Sequence, residues 1–359
     1  VAALAVSPDA TRVASAGYHE VLIWETGTGK LIQRIGRLPQ RIQALQWKPD
    51  GKSLLVGGGT PGEYGEVVVV EVDNPEHRVI GVFPDLVLAA GFSPDGTKVV
   101  AGGADFSARC YDAATAALLW SHKVHADWVT GIGFTGDGRY VASSGRDKVV
   151  KVYEVNTGTL FTTYNGHNRN IGRYRGQAPV WAVAFPSGSP QILSAGGGTW
   201  IQAWEPEKAK LETGDAGDME ERFQTGSHAK HFPHGLQGAV LAVAWAAGTV
   251  YAAGEDGVAV AIDAAAGQVR TRFGTPGEWA HAISVDPEGR ILAVGRYDGT
   301  IALYDAASGV ERSRFRATPA VSAVPSKKPS GVARPSVPTR RPIGGRANRS
   351  APRTPLPRQ

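Results

Sequence analysis

The segment VTGIGFTGDGRYVASSGRDKVVKVYEVNTG, from Val129 to Gly158, contains the pattern that predicts the fold. Apolar and small residues alternate in it from Ile132 to Ala142 and again from Val150 to Val155. Turns rich in glycine and aspartate interrupt the alternation at 135–138 and 145–148. Such interrupted alternation predicts a meander of short antiparallel strands. A meander this small cannot bury both of its faces alone, so we expect the unit to be repeated.

Similar units follow one another along most of the chain. Seven copies align on the first turn of the unit, which falls at Pro8, Pro49, Pro94, Gly136, Ser187, Ala247 and Pro287. These positions lie on the order of 40 to 60 residues apart, which is the period of a propeller blade or slightly more. In the turn Ser93–Gly96, proline presets φ and glycine tolerates a positive φ. The sequence therefore predicts seven four-stranded units in an all-β protein.

A pair of residues marks the end of the third strand in six copies. An apolar side chain precedes an acid there, at Trp24-Glu25, Tyr111-Asp112, Tyr153-Glu154, Trp204-Glu205, Ile262-Asp263 and Tyr304-Asp305. Six residues earlier, four copies have an aspartate: Asp105, Asp147, Asp256 and Asp298. These marks resemble the WD40 repeat family over about residues 1–316. The resemblance implies a seven-bladed β-propeller with four-stranded antiparallel blades around a central channel.

We therefore expect two regions in the chain. The propeller takes residues 1–316, with blades at about 1–39, 40–86, 87–128, 129–180, 181–240, 241–280 and 281–316. The remainder, 317–359, holds nine prolines, nine Lys or Arg and no acid, which predicts a disordered basic tail. We favour a linker or solvated terminus for it, although its charge suits acidic polymers or membrane headgroups.

The charge of the chain is divided unevenly. The whole chain carries +5, and without the nine basic residues of the tail the predicted propeller carries −4. Nucleic-acid binding by the propeller therefore has no compositional support.

The family resemblance also implies a hydrogen-bonded brace. It joins a histidine between blades to a serine or threonine on the second strand and to the turn aspartate. In copy four the matching residues are His125, Ser143 and Asp147, with Tyr153 in the tryptophan position. Copy five has His167, but Gly198 occupies the place of the aspartate. We expect apolar packing to stabilise the copies that lack the histidine.

A narrower resemblance concerns the first two copies. The segments SAGYHEVLIWETGTGK, RLPQRIQAL and GGGTPGEYGEV are similar to the WD40 region of bacterial exported proteins that carry an upstream c-type cytochrome domain. Haem attachment needs Cys-x-x-Cys-His, which the single Cys110 cannot supply, so we expect no cofactor in this chain and place any haem domain before Val1. The resemblance favours a periplasmic location, while composition leaves a cytoplasmic one open.

The ends of the repeats predict how the ring closes. Val1 enters the innermost strand of copy one, and 311–316 supplies the outer strand of copy seven. Each blade is then contiguous in sequence, without the strand exchange that is usual in WD40 rings. We expect blades one and seven to meet by side-chain packing alone.

Two insertions interrupt the period, Thr60–Glu66 and Glu205–Gln237. The second contains His228, His231 and His234, whose H-x-x-H-x-x-H spacing could offer imidazoles to a divalent metal. We favour a solvated loop without metal, because no fixed backbone is predicted to present the three side chains.

Signals for catalysis are weak. Gly27–Lys30 resembles part of a phosphate-binding loop, but the same position recurs as 156–158 and 307–309, so we interpret it as a hairpin turn. The sequence has no Gly-x-Ser-x-Gly or His-Glu-x-x-His motif. We therefore expect a protein that is not an enzyme.

The surface of the ring remains as the candidate site. In a propeller, the loops that enter the innermost strands share one face with the loops between second and third strands. By position this face receives Tyr18, Arg41, Trp128, Arg146, Trp200, Glu255, Trp279, Arg296 and Tyr297. Aromatic and arginine side chains dominate binding hot spots. We expect proteins or peptides as partners of a monomeric propeller, with no specific nucleic acid and no membrane span.

Two classes of function remain open. The first is a non-enzymatic protein–protein interaction scaffold, supported by the tandem copies and by the missing catalytic motifs. The second is a docking or substrate-cleft module of a larger exported redox or hydrolytic protein whose chemistry lies outside this chain. A Cys-x-x-Cys-His motif upstream of Val1 would favour the second class.

Overall fold

The computed structural model describes residues 1–74, 76–123, 125–168, 178–198, 200–213 and 229–317. These residues form seven four-stranded antiparallel sheets, and each sheet takes its strands consecutively from the sequence. The chain is therefore a seven-bladed β-propeller, as the repeats predict. A second unit, Ala320–Gln359, lies outside the described residues, and so does the predicted tail from 318 onward.

The first three blades have regular four-stranded order. Blade one contains β1 (Leu4–Val6), β2 (Arg12–Ala16), β3 (Val21–Glu25) and β4 (Leu31–Ile35). Blade two contains β5 (Arg41–Trp47), β6 (Ser53–Thr60), β7 (Tyr64–Glu71) and β8 (His77–Phe83). Blade three contains β9 (Val87–Phe92), β10 (Lys98–Gly103), β11 (Ser107–Asp112) and β12 (Leu118–Lys123).

The remaining blades repeat this order. Blade four contains β13 (Val129–Phe134), β14 (Tyr140–Gly145), β15 (Val150–Glu154) and β16 (Leu160–Tyr164), followed by a 3₁₀ turn (Gly166–Asn168). Blade five contains β17 (Val180–Ala184), β18 (Ile192–Gly196), β19 (Trp200–Trp204), helix α1 (Pro206–Thr213) and β20 (Lys230–Pro233). Blade six contains β21 (Val240–Ala246), β22 (Thr249–Gly254), β23 (Ala259–Asp263) and β24 (Val269–Phe273). Blade seven contains β25 (Ala280–Val285), β26 (Ile291–Arg296), β27 (Thr300–Asp305) and β28 (Glu311–Arg316).

An aspartate fixes the turn between the first two strands of several blades. In blade three, Asp95 accepts the Ser93 hydroxyl at 2.5 Å and the Thr97 amide at 3.0 Å, and Gly96 takes a φ of 69°. These hydrogen bonds, from Ser93 and then Thr97, lower the pKa of Asp95 to about 2. The same turn is built around Asp9 in blade one and Asp137 in blade four. Local turn chemistry therefore sets the register of these hairpins.

The core lies between the blades. Buried aliphatic side chains of neighbouring sheets form mixed clusters, such as Val56 and Val70 of blade two with Ile23 of blade one. Tryptophans add polar contacts across the same boundaries: Trp47 Nε1 donates to the Ala5 carbonyl at 3.0 Å, and Trp120 Nε1 to the Val155 carbonyl at 2.8 Å. Each blade is thus stabilised mainly by its neighbours.

The ring closes between blades one and seven without strand exchange, because β1 pairs with β2 in its own blade. The expectation that packing alone joins the two blades is wrong. The amide of Val6 donates to the Ser284 hydroxyl across this boundary at 2.9 Å. Apolar packing accompanies this bond, with Leu4 and Val6 against Ala282 and Ile301.

Neither insertion is a simple loop. The segment Thr60–Glu66 extends the hairpin of blade two, because Thr60 pairs with Tyr64 and the strands remain in register beyond them. The segment 205–237 contains α1 and β20, and β20 is the fourth strand of blade five, paired with β19. The pairing of β20 with β19 thus gives this part of the insertion a fixed backbone, which the sequence did not predict.

Candidate partner-binding face and central channel

The four residues proposed for the brace of blade four meet between blades three and four. The Nδ1 atom of His125 lies 2.8 Å from Asp147 Oδ1, and its Nε2 atom lies 2.8 Å from Ser143 Oγ. Because a carboxylate only accepts hydrogen bonds, Nδ1 carries the proton of the bond to Asp147. Tyr153 contacts Ser143 from the third strand. The brace thus joins the loop before β13 to β14, to the turn after β14 and to β15.

Asp147 remains a carboxylate in this setting. Burial raises its pKa, but the hydrogen bond and charge of His125, the hydrogen bond from the Ala126 amide and the charge of Lys151 together outweigh burial, so the pKa lies below its usual value. Asp147 also accepts the Ala126 amide at 3.0 Å. The Asp147 carboxylate therefore holds both the His125 side chain and the backbone of the loop that leads into β13.

Blade five has a related arrangement that the sequence did not reveal. His167 Nε2 lies 2.8 Å from Ser194 Oγ, and Trp204 Nε1 donates to the same oxygen at 3.0 Å. Tyr164 stacks on Trp204 with ring centroids 4.1 Å apart. Burial, and then the nearby His231, lower the pKa of His167 to about 4, so its imidazole is neutral at pH 7. Serine and the third-strand aromatic residue carry this brace without an aspartate.

The residue at one position of the second strand determines which blades have a serine for the brace. Ser15, Ser143 and Ser194 occupy equivalent registers, opposite Leu4, Ile132 and Val183 of the inner strands. In blade one, Trp24 Nε1 donates to Ser15 Oγ at 2.8 Å. The other four blades have Val56, Ala101, Ala252 and Val294 at this position. Apolar packing replaces the hydroxyl in those blades.

A repeated backbone hydrogen bond builds the candidate face. The amide that follows the second strand donates to the carbonyl that precedes the first strand of the same blade. The Arg146 amide donates to the Trp128 carbonyl and the Tyr297 amide to the Trp279 carbonyl, both at 3.0 Å. The Glu255 amide donates to the Ala239 carbonyl at 3.1 Å. Because the bond is shared, side chains at these positions stand side by side on one face of the ring.

Blades four and seven place large exposed side chains at these paired positions. In blade four the Arg146 guanidinium lies over the Trp128 ring, 4.8 Å from its centroid, and its Nε atom is 3.7 Å from Asp127. In blade seven, Trp279 and Tyr297 are 49% and 73% exposed. Contiguous exposed aromatic surface is typical of interaction sites.

A third exposed pair joins blades one and two. Tyr18 and Arg41 form an isolated β-bridge, and the Gln40 amide donates to the Tyr18 hydroxyl. The Tyr18 side chain is 60% exposed. Blades one, two, four and seven therefore all contribute exposed predicted residues to this face.

Three of the predicted face residues have other surroundings. The expectation that Arg296 is exposed on this face is wrong. Its side chain is 5% exposed, and its Nη2 atom donates to the Gly257 carbonyl of blade six at 3.1 Å. The Glu255 carboxylate accepts the Ala239 amide at 3.0 Å. Trp200 is half-buried, with its ring 6.2 Å from that of His231.

The three histidines of the long insertion are not presented together by a described loop. His228 lies outside the described residues, and His231 is part of β20. His234 is buried, accepts the Leu236 amide at 3.0 Å and contacts the Gly198 carbonyl at 3.3 Å. Among the described residues, no group of three or more His, Cys, Asp or Glu is arranged to hold a metal.

The central channel is lined by the inner strand of every blade. Two cavities of about 230 and 460 Å³ open from its two ends and share the same seven wall residues. We call these residues the aliphatic belt: Leu4, Leu45, Ala90, Ile132, Val183, Val243 and Ile283. All seven pair with equivalent second-strand positions, so they stand at one level of the ring.

A second level of small residues adjoins the belt. This small-residue ring consists of Ala3, Ala44, Ala89, Gly131, Ala182, Ala242 and Ala282. Beyond it, the mouth on the candidate face adds polar and aromatic side chains, among them Gln43, Trp181 and His281. Small and aliphatic side chains of these two levels thus line the channel beside the backbone edges of the inner strands, an arrangement that the separate repeats do not show.

Comparisons with known proteins agree with this geometry. Residues 79–112, 117–154 and 268–305 match the family model described as WD40: WD domain, G-beta repeat. Each match runs from the fourth strand of one blade to the third strand of the next. No curated protein matches the chain. Within the described residues, no helix has the length and apolarity to cross a membrane. From its sequence matches and its ring of sheets, this chain carries WD40 repeats in a seven-bladed β-propeller.

Proposed function

We propose that this propeller is a non-enzymatic interaction module that binds a protein or peptide on the face described above. WD40 propellers are typical protein-interaction modules. The observation that carries the proposal is the equivalent placement of Trp128 with Arg146 and of Trp279 with Tyr297 in blades four and seven. Both pairs lie on the same face of the ring, beside the mouth of the central channel, and both expose side chains to solvent.

The two pairs differ in chemistry. Arg146 over Trp128 presents a cationic, planar surface held by a cation–π contact and by Asp127. Trp279 and Tyr297 present aromatic area with few rotatable bonds, so little conformational entropy is lost on binding. We infer that the aromatic pair anchors the partner and that the Arg146 pair orients it.

The test is capture of partners by the immobilised protein from extracts of its own source. The double variant Trp279→Ala/Tyr297→Ala should lose the captured partner, and Trp128→Ala should reduce it. A matched control is Val82→Ala/Leu119→Ala, which removes similarly exposed apolar side chains from β8 and β12. Melting temperatures should agree within a few degrees for all variants, because the removed groups are exposed.

Unchanged capture by Trp279→Ala/Tyr297→Ala, with the fold intact, would overturn the proposal. Equal loss with the control would show non-specific adhesion. Identification of the captured partner by mass spectrometry then distinguishes a general scaffold from the redox-docking alternative, since a haem protein among the partners would favour the latter.

A further inference from the structure

We propose that His234 is an acid-sensitive contact that fixes the loop 234–239, so that the candidate face changes shape when the pH falls. This loop, which we call the linking loop, connects β20 of blade five to β21 of blade six. The inference concerns regulation of the candidate face, and its consequence for partner binding rests on the proposed function.

The hydrogen bonds of His234 define its protonation state. Its Nδ1 atom lies 3.0 Å from the amide nitrogen of Leu236, and a backbone amide can only donate. Nδ1 therefore carries no proton. The proton of the neutral imidazole lies on Nε2, which donates to the Gly198 carbonyl of blade five at 3.3 Å. The folded protein thus requires a neutral imidazole at this position.

The surroundings of this imidazole disfavour a positive charge. His234 is 3% exposed, and burial is the largest cause of its lowered pKa. The charged side chains that act on it come from blade six and oppose each other, because Asp256 raises the pKa and Arg272 lowers it. A hydrogen bond to the backbone also raises the pKa, which nevertheless lies below 6.5. The nearby His231 of β20 acts on His167 of the blade five brace.

The linking loop is attached to blades five and six by different contacts. Leu236 is buried in the same core cluster as Val258 of blade six. The Gln237 amide donates to Asp256 of blade six at 2.9 Å. On the side of blade five, His234 provides the contact. Loss of that contact would therefore free the blade five end of the loop first, while the blade six end stays bound.

Acid should break the His234 contact. A proton on Nδ1 would face the Leu236 amide, so two donors would meet and the hydrogen bond would be lost. Because the pKa is lowered in the folded protein, neutral His234 stabilises the loop fully above pH 6.5. This stabilisation decreases as the pH falls through the lowered pKa. The loop ends at Ala239, whose carbonyl accepts the Glu255 amide, so its movement reaches the candidate face.

Hydrogen exchange of the Leu236 amide, followed from about pH 7.5 to about pH 4.5 and corrected for the intrinsic rate, tests the inference. We expect its protection to fall on the order of tenfold over this range, because the amide loses its acceptor. The Ala252 amide of the central strand β22 is the internal reference and should stay protected. Constant protection of Leu236, or an equal loss at Ala252, would overturn the inference.

Matched variants identify the titrating group. His234→Asn keeps an acceptor for the amide two residues later, as in an Asx turn, but does not titrate. It should keep the Leu236 amide protected throughout the pH range. His77→Asn makes the same change in blade two and should retain the acid-induced loss. A loss that persists in His234→Asn would assign the effect to another group and overturn the inference.

A second measurement needs no variant. The imidazole resonances of His234 should titrate with a midpoint below pH 6.5, because burial disfavours the charged form. A midpoint at or above pH 6.5 would also overturn the inference.

Partner capture at about pH 7 and about pH 5 relates the contact to the candidate face. The natural protein should lose the captured partner at the lower pH, and His234→Asn should retain it. Equal capture by the natural protein at both pH values would overturn the regulatory role. Capture that is already absent at the higher pH would contradict the proposed function, and the exchange of Leu236 would still decide the inference.

Discussion

The Val6 amide donates to the Ser284 hydroxyl at 2.9 Å and so links the inner strands of the first and last blades. Both strands otherwise pair within their own sheets. The hydroxyl thus supplies a partner for an amide that has no strand beside it, at the boundary where the ring closes.

Removal of this hydroxyl should weaken the ring. Ser284→Ala leaves the Val6 amide without its partner, and we expect a loss of about 1 kcal/mol in the free energy of unfolding. The control is Ser121→Ala on the exposed strand β12, which should change stability by less than about 0.5 kcal/mol. Urea unfolding measures both. Equal stability of the two variants would contradict a role of Ser284 in closure.

The brace serines should rank by the number of groups they satisfy. Ser143→Ala removes a hydrogen-bond partner from both His125 and Tyr153. Ser194→Ala does the same to His167 and Trp204. Ser15→Ala removes the partner of Trp24 alone.

We expect losses of about 2 kcal/mol for Ser143→Ala and Ser194→Ala and about 1 kcal/mol for Ser15→Ala, because each buried group left without a partner adds its own cost. The same urea experiment provides the comparison. A larger loss for Ser15→Ala than for the other two would refute this ranking.

Acid should destabilise the propeller through His167. Its pKa is lowered from 6.5 to about 4 in the folded protein, so the unfolded chain binds the proton first as the pH falls. The stability associated with neutral His167 is complete above pH 6.5 and is lost progressively toward pH 4.

Between pH 7 and pH 5 this linkage amounts to about 2 kcal/mol. His167→Gln should be less stable at pH 7 but should show a shallower fall between these pH values. Denaturant unfolding at several pH values gives the slope. An identical slope in the variant would exclude His167 as the titrating group.

Cys110 should be unreactive in the folded protein. Its side chain is fully buried among Val100, Trp120 and Val141. Burial raises the pKa of the thiol to about 12, so almost no thiolate is present at pH 8. Labelling by a disulfide reagent should therefore follow unfolding.

The matched control for the labelling experiment is Ser121→Cys, which adds an exposed thiol on the adjacent strand β12. One of its two thiols should react at once, and the other only in denaturant. Fast reaction of the natural thiol in the native protein would contradict the buried position of Cys110.

The repeats, strand number and ring architecture could be predicted from the sequence, because they depend on local chemistry. Apolar alternation and Asp- or Gly-containing turns such as Ser93–Gly96 act within a few residues, and seven copies make the signal unambiguous. The fourth strand of blade five, Lys230–Pro233, could not be found in this way. It is short and polar, and it follows the long segment after β19, so only its pairing with β19 identifies it.

Tertiary structure alone decided which side chains meet. Arg296 turns inward because the Gly257 carbonyl of blade six lies within reach, and no local sequence pattern predicts that contact. The aliphatic belt takes one residue from each blade, separated along the chain by a full repeat. Each of those residues is an ordinary strand residue in sequence, and they form one level of the channel only because the ring brings seven inner strands around a common axis.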